Sequence, residues 1–393
     1  MKSVLQIQLE KEIIPFWKTM IDYQNGGFFN SLNNDLYLNK KEDKSIIFHT
    51  RYLYTFSLWY KELKDKKLLK YINHAYDFIE NHFLDNIHGG YYWAVSYQGQ
   101  PTVKTKHLYA QNFVVYALAE YAQATDNKKA AIKAYELYNF MRLKAKSNNF
   151  YYHEQFSNNW LPTLNELLSN NPEKYPYTTN TILHQLEAWT NLYRVCPTEQ
   201  LKGDIIKLLD AYKTVFYNKE NKNFHVYINK NYKIDNYDVS YGHDIETCWL
   251  INEALEVLKI EDNELSEILL DVADQVLTKA MTTKGLIYGI EKGRVIESRV
   301  WWVQLEAMVG FMDAYEKTGK IKYFDAVKQI YDYCQAHLVD ERENSEWFWG
   351  KDKAGNLLNY KIVEPWKAPY HIGRAYIQLI KRSNYDSSRL QQT

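Results

Sequence analysis

Six short segments of the chain follow one template at nearly even spacing, and this repetition limits the possible folds more than any single motif. The anchors are Arg51 (RYLYTFSLWY), Tyr109 (YAQNFVVYALAEYAQAT), His184 (HQLEAWTNLYR), His243 (HDIETCWLINEAL), Trp302 (WVQLEAMVGFMDAY) and His371 (HIGRAYIQLI). They lie 58, 75, 59, 59 and 69 residues apart. Each segment opens on a polar or aromatic residue and continues as a helical pattern rich in Ala, Leu and aromatics. A regular internal period points to ringed or stacked units, each too small to bury its own apolar face.

Between the anchors runs a second, more charged helical pattern, at residues 67–83, 128–141, 199–216, 264–280 and 321–338. Residues 5–23 supply the same element ahead of the first anchor. Apolar residues recur there at steps of three and four, the signature of one buried stripe and one wet face. The chain therefore reads as six pairs, each a wet helix followed by an anchored helix that is apolar nearly all round. Common open solenoids repeat every 34 to 47 residues or so. These units are longer, about 60 residues, and their Gly- and Tyr-rich connectors at 89–93 and 285–289 read as short strands or hairpins. The expected fold is all-α: a closed (α/α)6 barrel of six helical hairpins with short β-hairpin connectors, its inner helices starting at one mouth. A chain of 393 residues could form two or three domains, but no linker interrupts the repeat, so a single domain over 1–393 is expected. The longest connector, 145–178, is rich in Asn, Tyr and Pro, and predicts a packed loop over the mouth.

Composition narrows the function. Lys+Arg and Asp+Glu both number 48, which leaves no basic footprint for nucleic acid. No stretch approaches the roughly 20 apolar residues of a membrane span. The N-terminus lacks an uninterrupted apolar segment of signal-peptide type, and Cys196, Cys248 and Cys334 are too scattered for a disulfide framework. A cytoplasmic protein with reduced thiols is expected, and the balanced charge suits a monomer or weak homodimer. Aromatics reach 16 %, including 35 Tyr and 11 Trp. They serve core packing and also suit a pocket that stacks rings on sugar faces.

Three anchors are histidines at equivalent positions, which argues for a common task. Glu246 follows His243 by three residues, on the same helical face, where a carboxylate can fix the imidazole tautomer and raise its basicity. Pro369 suits a helix start and places His371 in a first turn. Arg51 at the mouth could stabilise an oxyanion without itself titrating. Histidine has the natural pKa for moving protons near neutrality, and two of them could take a proton from one face of a substrate and return one to the other. No HxxxH or HxH pair joins these histidines, so no metal site is expected. Glu187, Glu246 and Glu306 also lie near the mouth by repeat position. An inverting glycoside hydrolase built on two of them is one alternative, and a non-catalytic sugar-binding protein another.

Five motifs together carry a resemblance that spans 17–379: RYLYTFS at Arg51, NTILHQLEAWTNLYR at Asn180, GHDIETCWL at Gly242, WWVQLEAMVGF at Trp301 and WKAPYHIGRA at Trp366. In these the chain resembles the N-acylglucosamine 2-epimerase superfamily, most closely its cellobiose 2-epimerase branch. The resemblance implies an (α/α)6 barrel and a cofactor-independent 2-epimerase that takes the reducing-end glucose of a β-1,4-linked disaccharide, such as cellobiose or lactose, to mannose through a cis-enediolate. It implies His243 and His371 as the acid/base pair, Arg51 on the enediolate oxygens, His184 at ring opening and Glu246 orienting His243. Tyr109, Asn180, Trp302, Glu306 and Trp366 match sugar-site positions. Other members are mannose isomerases and monosaccharide N-acylglucosamine epimerases. Disaccharide-specific members usually carry Cys and Asn where this chain has Ala368 and Ile372.

Overall fold

The computed structural model describes residues 2–148 and 150–389; Met1, residue 149 of the long connector and residues 390–393, all within the expected 1–393 unit, lie outside the described residues. Twelve helical segments are numbered here in chain order. The even-numbered ones carry the anchors: α2 (Ile46–Leu63), α4 (Leu108–Thr125), α6 (Thr179–Tyr193), α8 (Tyr241–Leu258), α10 (Trp301–Thr318) and α12 (Tyr370–Arg389). The odd-numbered ones are the amphipathic segments: α1 (2–19), α3 (66–83), α5 (Lys128–Lys144), α7 (199–216), α9 (Asn263–Lys279) and α11 (Ile321–His337). Burial separates the two sets as their patterns require. Fifteen of the 18 residues of α4 are buried, whereas α9 buries Leu265, Ile268, Leu269, Val272, Ala273 and Val276, a single stripe.

The even helices form a closed ring. Each touches the next from α2 to α12, and α12 touches α2. The last contact is tight enough to require glycine: a Cβ on Gly373 would lie 2.3 Å from Thr55 Cγ2. The odd helices form the outer shell. Each packs chiefly on the inner helix before it, and α1, which has none before it, packs on α12. This reverses the pairing expected from the sequence, a wet helix with the inner helix after it. The reason is connection length. Only two to five residues join each of α2, α4, α6, α8 and α10 to its outer partner, and left-handed residues such as Lys64, Asp126, Lys259 and Gly319 end the inner helix abruptly. Gln8 on α1 fastens the closure, its Oε1 accepting from Tyr331 Oη at 3.0 Å and Tyr376 Oη at 3.2 Å.

The long connectors build a collar at the opposite end of these turns. Two residues before each of five inner helices are extended and pair antiparallel with the connector of the next repeat. Lys44–Ser45 pairs with Ala94–Val95, Lys106–His107 with Gln155–Phe156, and Tyr177–Thr178 with Tyr227–Ile228. Val239–Ser240 pairs with Gly289–Glu291, and Arg299–Val300 with Gly350–Lys351. A bridge between Leu32 and Val363 joins the first connector to the last. The strands expected inside each repeat thus also link neighbouring repeats. Two buried ion pairs repeat the same latch. Lys44 Nζ lies 2.8 Å from Asp22 and Lys106 Nζ 2.9 Å from Asp85, and each aspartate also accepts two backbone N–H bonds in its own Gly-Gly turn.

No helix among the described residues is long and apolar enough to cross a membrane. The closure makes a stability prediction. Gly373→Ala forces α12 away from Thr55 and Trp59, and is expected to cost about 1–3 kcal/mol. Urea denaturation checks this as a lower midpoint at unchanged slope.

Candidate active site

The first two turns of the six inner helices converge on one cavity of about 400 Å³. Its wall includes Arg51, Tyr109, Asn180, His184, His243, Glu246, Trp302, Trp366 and His371, nine of the ten residues marked by the family resemblance. Glu306 lies beneath the wall, fully buried behind His371. The connector 145–178 supplies Glu166, Leu167, Leu168, Ser169 and Asn170, and the last connector supplies Trp349, Tyr360 and Glu364. Asn165 ties down the former segment. Its Oδ1 accepts from His107 Nε2 at 2.9 Å, and its Nδ2 donates to Glu154 at 2.8 Å. Burial pushes Glu154 up to about 7, against the hydrogen bonds it accepts from Thr181, Thr178 and Asn165.

Arg51 projects from the second turn of α2. Its Nη1 donates to the Trp366 carbonyl at 2.6 Å and its Nη2 to Tyr109 Oη at 2.9 Å. The guanidinium sits against the rings of Phe113 and Tyr370, at 4.8 and 5.0 Å. Trp302 packs near two histidines, its ring centroid 4.8 Å from His243 and 5.6 Å from His371. Gly242 leaves the space for it, since a Cβ there would fall 2.6 Å from the indole.

Below this layer, Arg374 of α12 gathers three carboxylates. Nη1 bonds Glu187 of α6; Nη2 donates to Glu246 of α8 at 2.6 Å and to Glu306 of α10 at 2.8 Å. Two of these glutamates hold histidines: Glu187 Oε2 lies 2.8 Å from His184 Nδ1, and Glu306 Oε1 lies 2.6 Å from His371 Nδ1. Glu306 Oε2 also accepts from Trp249 Nε1, and both oxygens of Glu187 accept from Tyr370 Oη. One guanidinium cannot neutralise three carboxylates. Burial and the neighbouring Glu306 push Glu246 well up, and burial raises Glu306 in spite of Arg374. For Glu187, Arg374 and His184 overcome the effect of burial and hold the carboxyl at about 2.

The expected contact of Glu246 with His243 does not form. His243 Nδ1 faces Ser240 Oγ at 2.8 Å, and Arg374 takes Glu246 Oε1. The same three-residue spacing does produce a His–Glu pair in α6, at His184 and Glu187. Arg374, Tyr370, Trp249 and Ser240 were not picked out from the sequence. The one local signal is that Arg374 follows His371 by three residues, as Glu187 follows His184. Ile372 and Ala368, where the sequence departs from its resemblance, are both buried in the apolar core; Ile372 is fully enclosed, where a polar side chain would need a buried partner.

The three histidines are biased toward the neutral form. Burial lowers all three, bringing His243 to about 3, while Arg51 and Arg374 press further on His371. A carboxylate accepts only, so it keeps the proton of a neutral imidazole on Nδ1 and leaves Nε2 as a base. Side-chain atoms of Glu246, Glu306 and His371 lie within 4.8 Å of one another, close enough to share a cation. Arg374 already fills that part, since both glutamates point at its guanidinium. The wall thus offers proton-accepting imidazoles, one fixed cation and flat aromatic faces, a set fitted to proton transfer on a polyol.

Residues 27–375 match the sequence profile of the N-acylglucosamine 2-epimerase (GlcNAc 2-epimerase) family. The cellobiose 2-epimerase of Dictyoglomus turgidum is 36 % identical over 386 residues, 97 % of this chain and 98 % of that protein. The structure of cellobiose 2-epimerase from Bacillus thermoamylovorans superposes with a TM-score of 0.94 at 39 % identity, covering 97 % of this chain and 99 % of the other. A D-mannose isomerase structure, at 19 % identity and a TM-score of 0.85, covers 97 % and 98 % of the two chains and shares the fold.

The carboxylate cluster predicts how Arg374→Met behaves. Removing the guanidinium leaves the glutamates unpaired and is expected to cost about 3–5 kcal/mol at pH 8. Without it Glu246 and Glu306 rise further above their unfolded values and Glu187 loses the cation that holds it low, so stability is lost as pH climbs through the raised folded values and regained as pH falls. Denaturant midpoints at pH 8 and pH 5.5 should therefore show the deficit narrowing at the lower pH.

Proposed function

The chain belongs to the N-acylglucosamine 2-epimerase family, and from that premise we propose that it is a carbohydrate 2-epimerase acting on the reducing-end glucose of β-1,4-linked disaccharides. Cellobiose becomes glucosyl-mannose, and lactose becomes epilactose. The observation that carries this is the pair of cavity histidines that both lie against the Trp302 ring, with Arg51 lining the same cavity.

The reaction begins when the sugar ring opens: O5 gains a proton and O1 loses one, and His184 at the wall serves that exchange. One histidine of the pair His243/His371 is neutral and takes the C2 proton. The electrons of that bond form the C1–C2 double bond, and negative charge collects on O1 of the enediolate. Arg51, always cationic, faces that charge. The inner helices add to its field, since each presents its N-terminal turns to the cavity. The other histidine, drawn into its protonated form against the effect of burial by the negative charge of the enediolate, gives that proton to the opposite face of C2, and the ring closes as the epimer. One proton leaves and one returns, so no redox cofactor is consumed. Glu306 steadies His371 when it is cationic, and Tyr109, Trp302 and Trp366 offer faces for the sugar rings. Glu246 acts through Arg374 rather than on His243.

We place the protein in the cytoplasm as a monomer or weak homodimer, a reading supported by three free thiols and by the balance of 48 basic and 48 acidic residues.

Proton NMR of the protein with cellobiose in D2O tests the proposal. Mannose-type anomeric signals should grow as deuterium enters C2, and His243→Ala and His371→Ala should each slow this by about 10²–10⁴-fold. Free glucose would instead make the protein a glycosidase working through its glutamates. Turnover of mannose or of acylglucosamine, with cellobiose untouched, would move it to another branch of the family.

A further inference from the structure

The three cavity histidines are not supported alike. His371 and His184 turn Nδ1 to a carboxylate, whereas His243 Nδ1 lies 2.8 Å from the hydroxyl of Ser240. Ser240 is the N-cap of α8, a position whose side chain ordinarily accepts from one of the first helical N–H groups. Ser45 and Thr178 do this at the starts of α2 and α6. The Ser240 side chain makes no such bond; its hydroxyl is turned from the helix end to the imidazole. The backbone of Ser240 is held in the collar opposite Gly289, and Trp302 packs at a tilt against the His243 ring. The ring is therefore clamped between an indole and a hydroxyl.

We propose that Ser240 is a positioning residue for His243: it accepts the Nδ1 proton and so leaves Nε2 bare toward the cavity whenever His243 is neutral. That role presumes the acid–base chemistry proposed above. The same bond persists when Nε2 takes a proton, because Nδ1–H remains the donor in the imidazolium. A carboxylate would fix the tautomer too, but its charge would also hold the cation. A hydroxyl that accepts from Nδ1 brings no charge to hold the cation, so His243 releases its proton more readily than a glutamate-backed ring in the same place. The other titratable groups acting on His243 are His184, whose charge opposes a cation there, and Glu306, which favours one.

Nitrogen-15 NMR of histidine-labelled protein at neutral pH reads the tautomer without any substrate, with His243 assigned from the signals missing in His243→Asn. His243 should be protonated at Nδ1 in the parent protein and shift toward the Nε2-protonated form in Ser240→Ala, with His184 and His371 unchanged. Ser240→Thr, which keeps the hydroxyl, should restore the parent tautomer. An Nε2-protonated His243 in the parent, or no change in Ser240→Ala, would overturn the assignment. Turnover in D2O supplies the second readout. From the epimer whose C2 proton faces His371, Ser240→Ala should still exchange that proton while forming product roughly tenfold to a hundredfold more slowly, part of the about 10²–10⁴ such a group supplies. From the other epimer, exchange and product should fall together. Equal losses of exchange and product from both epimers would show a merely structural residue. Failure of the parent protein to act on either sugar would overturn the epimerase proposal, and the tautomer measurement would still decide the part played by Ser240.

Discussion

The guanidinium of Arg374 is where four of the six inner helices are brought into register. Glu187, Glu246 and Glu306 reach it from α6, α8 and α10, from positions 187, 128 and 68 residues away in sequence. The rings of Tyr370 and Trp249 flank it at 4.2 and 4.6 Å. The planar fork of an arginine can serve several acceptors at fixed angles, which an ammonium cannot. Two of its acceptors also hold histidines, so the cluster that aligns the helices also fixes which nitrogen of His184 and His371 faces the cavity. Burying four charged groups is costly in desolvation. The return lies in geometry and in the protonation states it imposes on the layer above.

That layer depends equally on the collar. Strand pairs tie the start of each of five inner helices to the following repeat, and the Leu32–Val363 bridge joins the first connector to the last. Asp22–Lys44 and Asp85–Lys106 lock the approach to α2 and α4, the helices that carry Arg51 and Tyr109. The helix starts can therefore carry chemistry without fraying, although a first turn has unpaired N–H groups and is ordinarily the looser end. At α8 the capping side chain serves the imidazole instead, and it is the strand pairing of Ser240 that keeps that helix end in place.

Much of this was legible in the chain itself. Alternation between all-round apolar and single-stripe segments appears in residues three and four apart, so α4 and α9 could be assigned to the inside and the outside without any tertiary contact. Repetition of the anchor placed Arg51, Tyr109, His184, His243, Trp302 and His371 at equivalent helix starts, and equivalent positions on a ring of helices converge. Local spacing also suggested a carboxylate beside an imidazole. It did so for Glu246 and His243, where the long reach of Arg374 claimed Glu246 and the serine took the place of the carboxylate; the same spacing forms the pair at His184 and Glu187 instead.

Helix periodicity and the repeat were determined by the sequence alone, because both are properties of residues close together along the chain. The contacts that close the ring, the packing of each outer helix on the inner helix before it, and the convergence of three glutamates on Arg374 were decided by the tertiary structure. Those depend on connection lengths, on the curvature of the whole ring and on which side chain reaches a shared partner first. No pattern within one repeat encodes such a competition. The tautomers of His184 and His371 follow from it, since the carboxylate that faces Nδ1 keeps the proton there, and that partner is chosen only when the ring is closed.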